Sequence, residues 1–104
     1  MSYKEEFPDF GKLDVEIPKG FEDISWHNDV CPSFYNEEYG VRLWVDYKLP
    51  QQREMPERYR FALTATDEHG EFTSGIYETD SYEEILKELE AYKQRVIDGD
   101  NNNN

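Results

Sequence analysis

A short segment of this 104-residue chain holds three side chains that can ligate a metal or attack a substrate: His27, Asp29 and Cys31. A zinc site needs three or four ligands, and the chain offers only one further histidine, His69, and no second cysteine. As a nucleophile, Cys31 would need a base such as His27 and a positive surrounding that lowers its pKa. The neighbouring residues are acidic instead. We therefore expect a turn with a buried Cys31 and no metal, cofactor or catalytic site.

Other groupings of reactive residues give weaker signals. Ser25 and Ser33 lie near His27 and Asp29 in sequence, but nothing here resembles the turn that presents a catalytic serine. Residues 98–102 begin like a calcium loop and then lack its required Gly and Glu. In a chain with 24 acids, a pair of carboxylates has no specificity as a glycosidase signature.

The net charge is the strongest compositional signal. The chain has 24 Asp and Glu against 11 Lys and Arg, a formal charge of -13. Residues 1–41 (10 acids, 3 bases) and residues 67–104 (11 acids, 3 bases) flank a slightly basic middle of 3 acids and 5 bases. Such a charge disfavours the compact state through self-repulsion, so the charge itself needs a physical reason. Solubility and attraction to a basic partner are the two reasons available. Direct binding to nucleic acid or to a membrane surface is disfavoured, because both are anionic.

The aromatic content predicts a folded domain. Eight Tyr, six Phe and two Trp provide apolar area that folding can bury, and a chain of this length forms one domain. Cys31 is the only cysteine, so no disulfide can form within the chain and a cytoplasmic location is expected. The first ten residues lack the apolar core of a signal peptide, and no stretch has the ~18 apolar residues of a membrane span.

Alternation of apolar and polar residues predicts the strands. Residues 58–66 alternate in this way, residues 67–70 predict a hairpin turn, and residues 72–78 predict the returning strand. Residues 13–17 predict a short edge strand ended by a proline, whereas residues 21–34 predict a compact loop. The clearest strand spans residues 39–47, with Val41, Leu43, Val45 and Tyr47 on one face and Arg42, Trp44 and Asp46 on the other.

A capped helix completes the predicted fold. Ser81 and Glu84 match a capping box, in which each side chain satisfies an otherwise unpaired backbone N–H. An apolar stripe at helical spacing follows, and Asp98-Gly99 predicts the helix end: Tyr82, Ile85, Leu86, Leu89, Tyr92 and Val96. We expect an α+β fold in which one carboxy-terminal helix packs on a face of a three- to four-stranded antiparallel sheet. Residues 1–20 should be extended or partly ordered, residues 21–98 the domain, and residues 99–104 disordered.

Carboxylates interleave with tyrosines in two regions that form the candidate partner-binding surface. Alternate strand residues lie ~6.8 Å apart and i, i+4 helix residues ~6 Å apart, which is of the order of the spacing between phosphates on a nucleic-acid strand. Tyrosine adds contact area at low entropic cost. Ordinary solvated faces are the alternative. The candidate residues are Glu37, Glu38, Tyr39, Glu68, Glu71, Tyr77, Glu78, Asp80, Tyr82, Glu83 and Glu84.

Trp44 is a further candidate for partner binding. It shares a strand face with Arg42 and Asp46, so it would be an anchor if the sheet leaves that face open. Alternatively, the helix or residues 21–34 cover this face and Trp44 belongs to the core.

Residues 20–34 (GFEDISWHNDVCPSF) resemble a segment of small uncharacterised bacterial or phage proteins, to which no activity is attached. In size, acidity and α+β body the chain is also similar to phage-type inhibitors that occupy nucleic-acid channels, including some anti-CRISPR, anti-restriction and uracil-glycosylase inhibitor proteins. This resemblance implies a nucleic-acid mimic of phage or mobile-element type and assigns no residues.

The expected function is therefore that of a non-enzymatic protein that docks on a basic, nucleic-acid-binding surface of another protein and blocks it. The alternative is a small structural or adaptor module whose acidity serves solubility and whose recognition uses Trp26 or Trp44. A small hydrolase based on His27 and Cys31 is a third hypothesis.

Overall fold

Five strands and two α-helices form the fold in the computed structural model, which describes residues 2–102. In chain order the elements are α1 (Tyr3–Glu6), β1 (Glu22–Asp23), β2 (Ser33–Asn36), β3 (Val41–Val45), a 3-10 turn (Pro50–Gln52), β4 (Phe61–Thr66), β5 (Phe72–Thr79) and α2 (Tyr82–Asn102). The strands form one antiparallel meander in the order β1-β2-β3-β4-β5. The predicted α+β class is thereby confirmed, with five strands where three to four were expected.

β1 and the first half of β2 lie where the sequence predicted a loop, residues 21–34. β1 is only two residues long, and β2 begins and ends with polar residues that are nevertheless buried, Ser33 and Asn36. The backbone N–H of Ser33 donates to Ser25 Oγ at 3.1 Å, and Asn36 Oδ1 accepts the N–H of Tyr39 at 3.1 Å. Buried polar residues with local hydrogen bonds hide the apolar alternation from which a strand is predicted.

The edge strand predicted at residues 13–17 is wrong. The N–H of Leu13 donates to the Tyr3 hydroxyl at 3.3 Å, and the carbonyl of Glu16 accepts from the Tyr82 hydroxyl at 2.6 Å. Side chains thus satisfy backbone groups that a strand would pair in a ladder. The apolar side chains at positions 13, 15 and 17 still pack against the core, so this irregular segment covers the sheet without joining it.

The core lies between the sheet and α2. The predicted alternation along β3 is confirmed, because Val41, Leu43 and Val45 are fully buried while the intervening residues face the opposite side. The buried cluster is Phe34, Val41, Leu43, Val45, Phe61, Leu63, Ile85 and Leu89. One face of the sheet is therefore committed to the helix.

The carboxy-terminal helix is longer than predicted. α2 continues through Gly99 to Asn102, although Asp98-Gly99 predicted its end and residues 99–104 were expected to be disordered. A helical glycine costs only about 1 kcal/mol relative to alanine, so it does not by itself end a helix. Residues 103 and 104 of that predicted tail lie outside the described residues. Within residues 2–102, neither α1 nor α2 is long and apolar enough to cross a membrane.

The hairpin between β4 and β5 forms where it was predicted. Asp67 Oδ1 accepts the backbone N–H groups of His69 at 2.8 Å and Glu71 at 3.0 Å, and these bonds lower the pKa of the Asp67 carboxyl. Gly70 closes the turn with φ +81°, a conformation that favours glycine. The N–H of Thr66 donates to the carbonyl of Gly40 at 2.9 Å, so this hairpin lies beside the turn between β2 and β3.

Candidate functional site

The sheet face opposite α2 carries an open groove of about 520 Å³. Trp44 lies opposite Ala62 in the β3–β4 register, and Ala62 lies opposite Glu78, so these three side chains share the face that points away from the helix. Val30 and Cys31 line one side of the groove. The alternative in which the helix covers Trp44 is therefore wrong, whereas residues 21–34 do flank it.

Trp44 is held in one orientation. Its indole Nε1 donates to Thr64 Oγ1 at 3.0 Å, and the guanidinium carbon of Arg42 lies 4.1 Å from the ring centroid. Arg42 is itself fixed, because its Nη2 bonds Asp29 at 3.0 Å and Ser33 Oγ at 2.8 Å. A side chain fixed in this way loses little conformational entropy when a partner binds.

The rim of the groove exposes apolar side chains. The exposed fractions of Met55, Tyr59 and Phe72 are 39%, 55% and 61%, and all three residues line the groove. Aromatic residues and Met are the types enriched in the centre of protein interfaces. Apolar side chains gathered around one concave surface indicate a binding site more strongly than single exposed residues do.

A carboxylate that forms no ion pair within the described residues lies in this groove. Asp46 lines the groove and is only 8% exposed, and its Oδ1 accepts the N–H of Tyr47 at 2.8 Å. Within residues 2–99, no ion pair includes Asp46. Arg60 donates through Nε to the backbone carbonyl of Asp46 at 3.0 Å and pairs with Asp14, while the donors of Arg53 bond three backbone carbonyls. Burial raises the pKa of the Asp46 carboxyl above its ordinary value.

Four of the predicted acidic residues come together at one end of the sheet. Glu37 and Glu38 lie in the turn before β3, and Glu68 and Glu71 lie in the neighbouring hairpin. All four are exposed, and no described ion pair joins any of them to a Lys or Arg. We name these four residues the turn cluster.

The remaining predicted acids lie at the other end of β5. Glu78 pairs with Arg58, and Asp80 Oδ1 accepts the backbone N–H of Arg60 at 2.9 Å. Glu84 accepts from Thr79 Oγ1 at 3.3 Å, while Glu83 is exposed in the first turn of α2. The eight residues of β5 span ~25 Å, so the two acidic regions are separate surfaces.

The three predicted tyrosines are packed against the core. Tyr39, Tyr77 and Tyr82 are each partly buried there. The Tyr82 ring lies 5.1 Å from that of Phe61, and burial raises the pKa of Tyr82 to about 12. Lys93 Nζ lies 5.3 Å from the Tyr39 ring centroid. Of the three, Tyr77 also lines the groove.

His27 and Cys31 face different surroundings. His27 Nδ1 lies 2.8 Å from Glu6 Oε1, and this hydrogen bond lowers the pKa of Glu6. Cys31 is 2% exposed, and burial followed by the charge of Asp46 raises its pKa well above the ordinary value. Cys31 is therefore a poor nucleophile near neutral pH. Within the residues described, no three His, Cys, Asp or Glu side chains are grouped as metal ligands.

Sequence reasoning missed most of the groove, including Asp46, Met55, Tyr59 and Phe72. A signal for Asp46 was present, because it lies two positions after Trp44 and alternate strand residues share a face. The alternation along residues 58–66 predicts Tyr59 on the same side of the strand as Phe61 and Leu63. β4 begins only at Phe61, which leaves Tyr59 on the groove rim.

Comparison of the chain with protein-family models, with curated proteins and with solved structures finds no match.

Proposed function

We propose that this protein is a non-enzymatic binding protein that docks on a basic, nucleic-acid-binding surface of another protein and blocks it. The turn cluster is the observation that carries this proposal. Its four exposed carboxylates lie on two adjacent turns and have no Lys or Arg partner among the described ion pairs. A chain of net charge -13 attracts basic surfaces over distances comparable with the Debye length, ~8–10 Å at physiological salt.

The second acidic region supports docking less strongly. Glu78, Asp80 and Glu84 are already engaged within the chain, so they have fewer free acceptor positions for a partner. We therefore place the electrostatic contact with the partner at the turn cluster. The region around Glu83 contributes only to the long-range electrostatic field of the chain.

Two variants of equal net charge test the proposal. The first changes the turn cluster (Glu37→Gln, Glu38→Gln, Glu68→Gln, Glu71→Gln). The matched control changes four exposed acids elsewhere (Glu5→Gln, Glu22→Gln, Glu57→Gln, Glu90→Gln). The native chain is immobilised, and a nuclease-treated host lysate is passed over it at low salt. Each captured protein is then purified, and the rates of its association with the native chain and the two variants, and of its dissociation from them, are measured.

The proposal predicts that the turn-cluster variant binds such a partner at least about tenfold more weakly than the control variant. Raising the salt concentration should lower the association rate more than it raises the dissociation rate. DNA or RNA should compete for the partner. The proposal would be contradicted if the association rate did not change with salt concentration and the two variants bound the partner with equal affinity.

A second candidate is supported by the open groove. Its exposed Met55, Tyr59 and Phe72 fit a structural or adaptor module whose acidity serves solubility. In that case Trp44→Ala should abolish partner binding without loss of folding, and the turn-cluster variant should bind as the native chain does.

A further inference from the structure

We propose that the groove on the open sheet face is an anchor pocket for one lysine or arginine side chain of the basic partner, with the Asp46 carboxylate receiving the cationic group. This inference rests on the proposed function, because the basic partner supplies the cation. The anchor pocket would add one specific contact to a complex that the proposed function explains only by long-range electrostatic attraction.

The position of Asp46 is the main argument. Asp46 is only 8% exposed as a residue and lines the groove, and its one described side-chain hydrogen bond, from the N–H of Tyr47, occupies Oδ1. Buried carboxylates are normally paired, because an uncompensated buried charge is costly. The neighbouring guanidinium groups of Arg53 and Arg60 bond backbone carbonyls and Asp14 instead. The groove therefore presents an acceptor that has no ion-pair partner within residues 2–99.

The walls fit the rest of such a side chain. Lysine and arginine bury their methylene stems against apolar surface while the charged end reaches a polar group. Trp44, Tyr59 and Phe72 supply aromatic surface along the groove, and aromatic faces attract cations. A volume of about 520 Å³ lies within the range of pockets that hold small ligands.

The charges around the groove favour a cation over an apolar occupant. Arg42 pairs with Asp29, Arg58 with Glu78 and Arg60 with Asp14, whereas Arg53 donates to three backbone carbonyls, so acids neutralise three of the four nearby arginines. An apolar side chain would remove the remaining water from Asp46 and leave the carboxylate without a partner. Burial already raises the pKa of Asp46, and a cation nearby would reverse this effect.

Gly75 offers a way to close the groove. It lies opposite Thr64 in the β4–β5 register, lines the groove, and has no heavy atom within 4 Å of the position that a Cβ would take. A Cβ therefore fits at this position, and we expect Gly75→Leu to place its side chain in the groove. This variant changes no charge and removes no existing contact.

The experiment is an NMR titration of the full chain with three small probes. Nα-acetyl-lysine N-methylamide and the corresponding arginine amide carry the cation, and the norleucine amide has an uncharged stem of similar length. The reporters are the indole N–H of Trp44 and the backbone N–H groups of Asp46 and Tyr47. The backbone N–H groups of α2, which packs on the opposite face of the sheet, are the internal reference.

We expect saturable shifts at the groove reporters with the lysine or arginine probe, with a dissociation constant on the order of millimolar, and no saturation with norleucine. Asp46→Asn retains an acceptor for the N–H of Tyr47 and should fold, yet bind the cationic probes at least about tenfold more weakly. Gly75→Leu should abolish the shifts. Equal binding of norleucine and lysine, or unchanged binding by Asp46→Asn, would overturn the inference.

The two proposals fail separately. Cationic probes that shift only the amides of the turn cluster would overturn the anchor pocket and leave salt-dependent docking intact. Conversely, specific lysine binding in the groove combined with salt-insensitive partner binding would contradict the proposed function and leave the pocket standing.

Discussion

Arg60 contacts Asp46 through the backbone and not through the carboxylate. Its Nε donates to the Asp46 carbonyl at 3.0 Å while its Nη1 bonds Asp14 at 2.9 Å. The Arg60 guanidinium therefore holds the backbone just after β3, and no ion pair within residues 2–99 includes the Asp46 carboxylate. This relationship makes Asp46 unfavourable for stability and suitable for recognition, a combination found at functional sites.

The first prediction concerns the pH dependence of stability. The pKa of Asp46 is raised from 3.8, chiefly by burial, with Glu54 adding to the rise and Arg53 and Arg60 opposing it. A raised pKa in the folded state means that the associated stability is present below pH 3.8 and lost as pH rises through the raised value. Asp46→Asn does not titrate, so it should equal the native chain near pH 3 and be more stable at pH 7.

Urea denaturation of both chains between pH 3 and 7 measures this difference. Glu57→Gln is the control, because it removes an exposed acid outside the groove and should change the free energy of unfolding by less than ~0.5 kcal/mol. A constant difference between Asp46→Asn and the native chain across the pH range would refute the account of Asp46.

The second prediction concerns Cys31. It is 2% exposed, and burial together with the charges of Asp46 and Asp29 raises its pKa well above the ordinary value. Iodoacetamide at pH 8 should therefore label Cys31 at least ~100-fold more slowly in the folded chain than in urea, which corresponds to roughly 3 kcal/mol of opening free energy. Labelling of the folded chain at the rate of a free cysteine would return the His27 and Cys31 hydrolase to consideration.

Local patterns in the sequence were sufficient for some elements and not for others. β3, the hairpin at Asp67–Gly70 and the start of α2 follow from alternation, turn residues and a capping serine, all of which act within a few positions. Residues 13–17 depend instead on hydroxyl groups from Tyr3 and Tyr82, which are distant in sequence. No local pattern contains those contacts.

The same distinction applies to the site. Strand periodicity placed Trp44 and Asp46 on one face, and the structure retains that arrangement. The face that the helix covers depends on how α2 packs back across β4 and β5. Alternation of apolar and polar residues within a strand does not specify this tertiary packing. The openness of the groove was therefore beyond sequence reasoning.

The third prediction separates the observed helix cap from the predicted one. Ser81 Oγ accepts the N–H of Glu84 at 3.3 Å, as a capping box requires, but the N–H of Ser81 donates to Thr79 Oγ1 at 3.0 Å and not to the Glu84 carboxylate. Thr79→Val and Ser81→Ala should each lower the free energy of unfolding by about 1 kcal/mol. Glu84→Gln should change it by less than ~0.5 kcal/mol. Urea denaturation measures these changes. If the capping box had its usual form, Glu84→Gln would lower the free energy of unfolding more than Thr79→Val.

The fourth prediction tests which face of α2 holds the sheet, and hence which face of the sheet is free. Leu89 is 1% exposed within the core, whereas Leu86 is 38% exposed. Leu89→Ala should lower the free energy of unfolding by about 2–5 kcal/mol, because it leaves a cavity, and Leu86→Ala by less than ~1 kcal/mol. The groove lies on the opposite face of the sheet. Under conditions in which the Leu89→Ala variant remains folded, it should therefore bind the lysine amide as the native chain does. Loss of that binding at a temperature where circular dichroism still reports a folded chain would mean that α2, and not the open face, shapes the pocket.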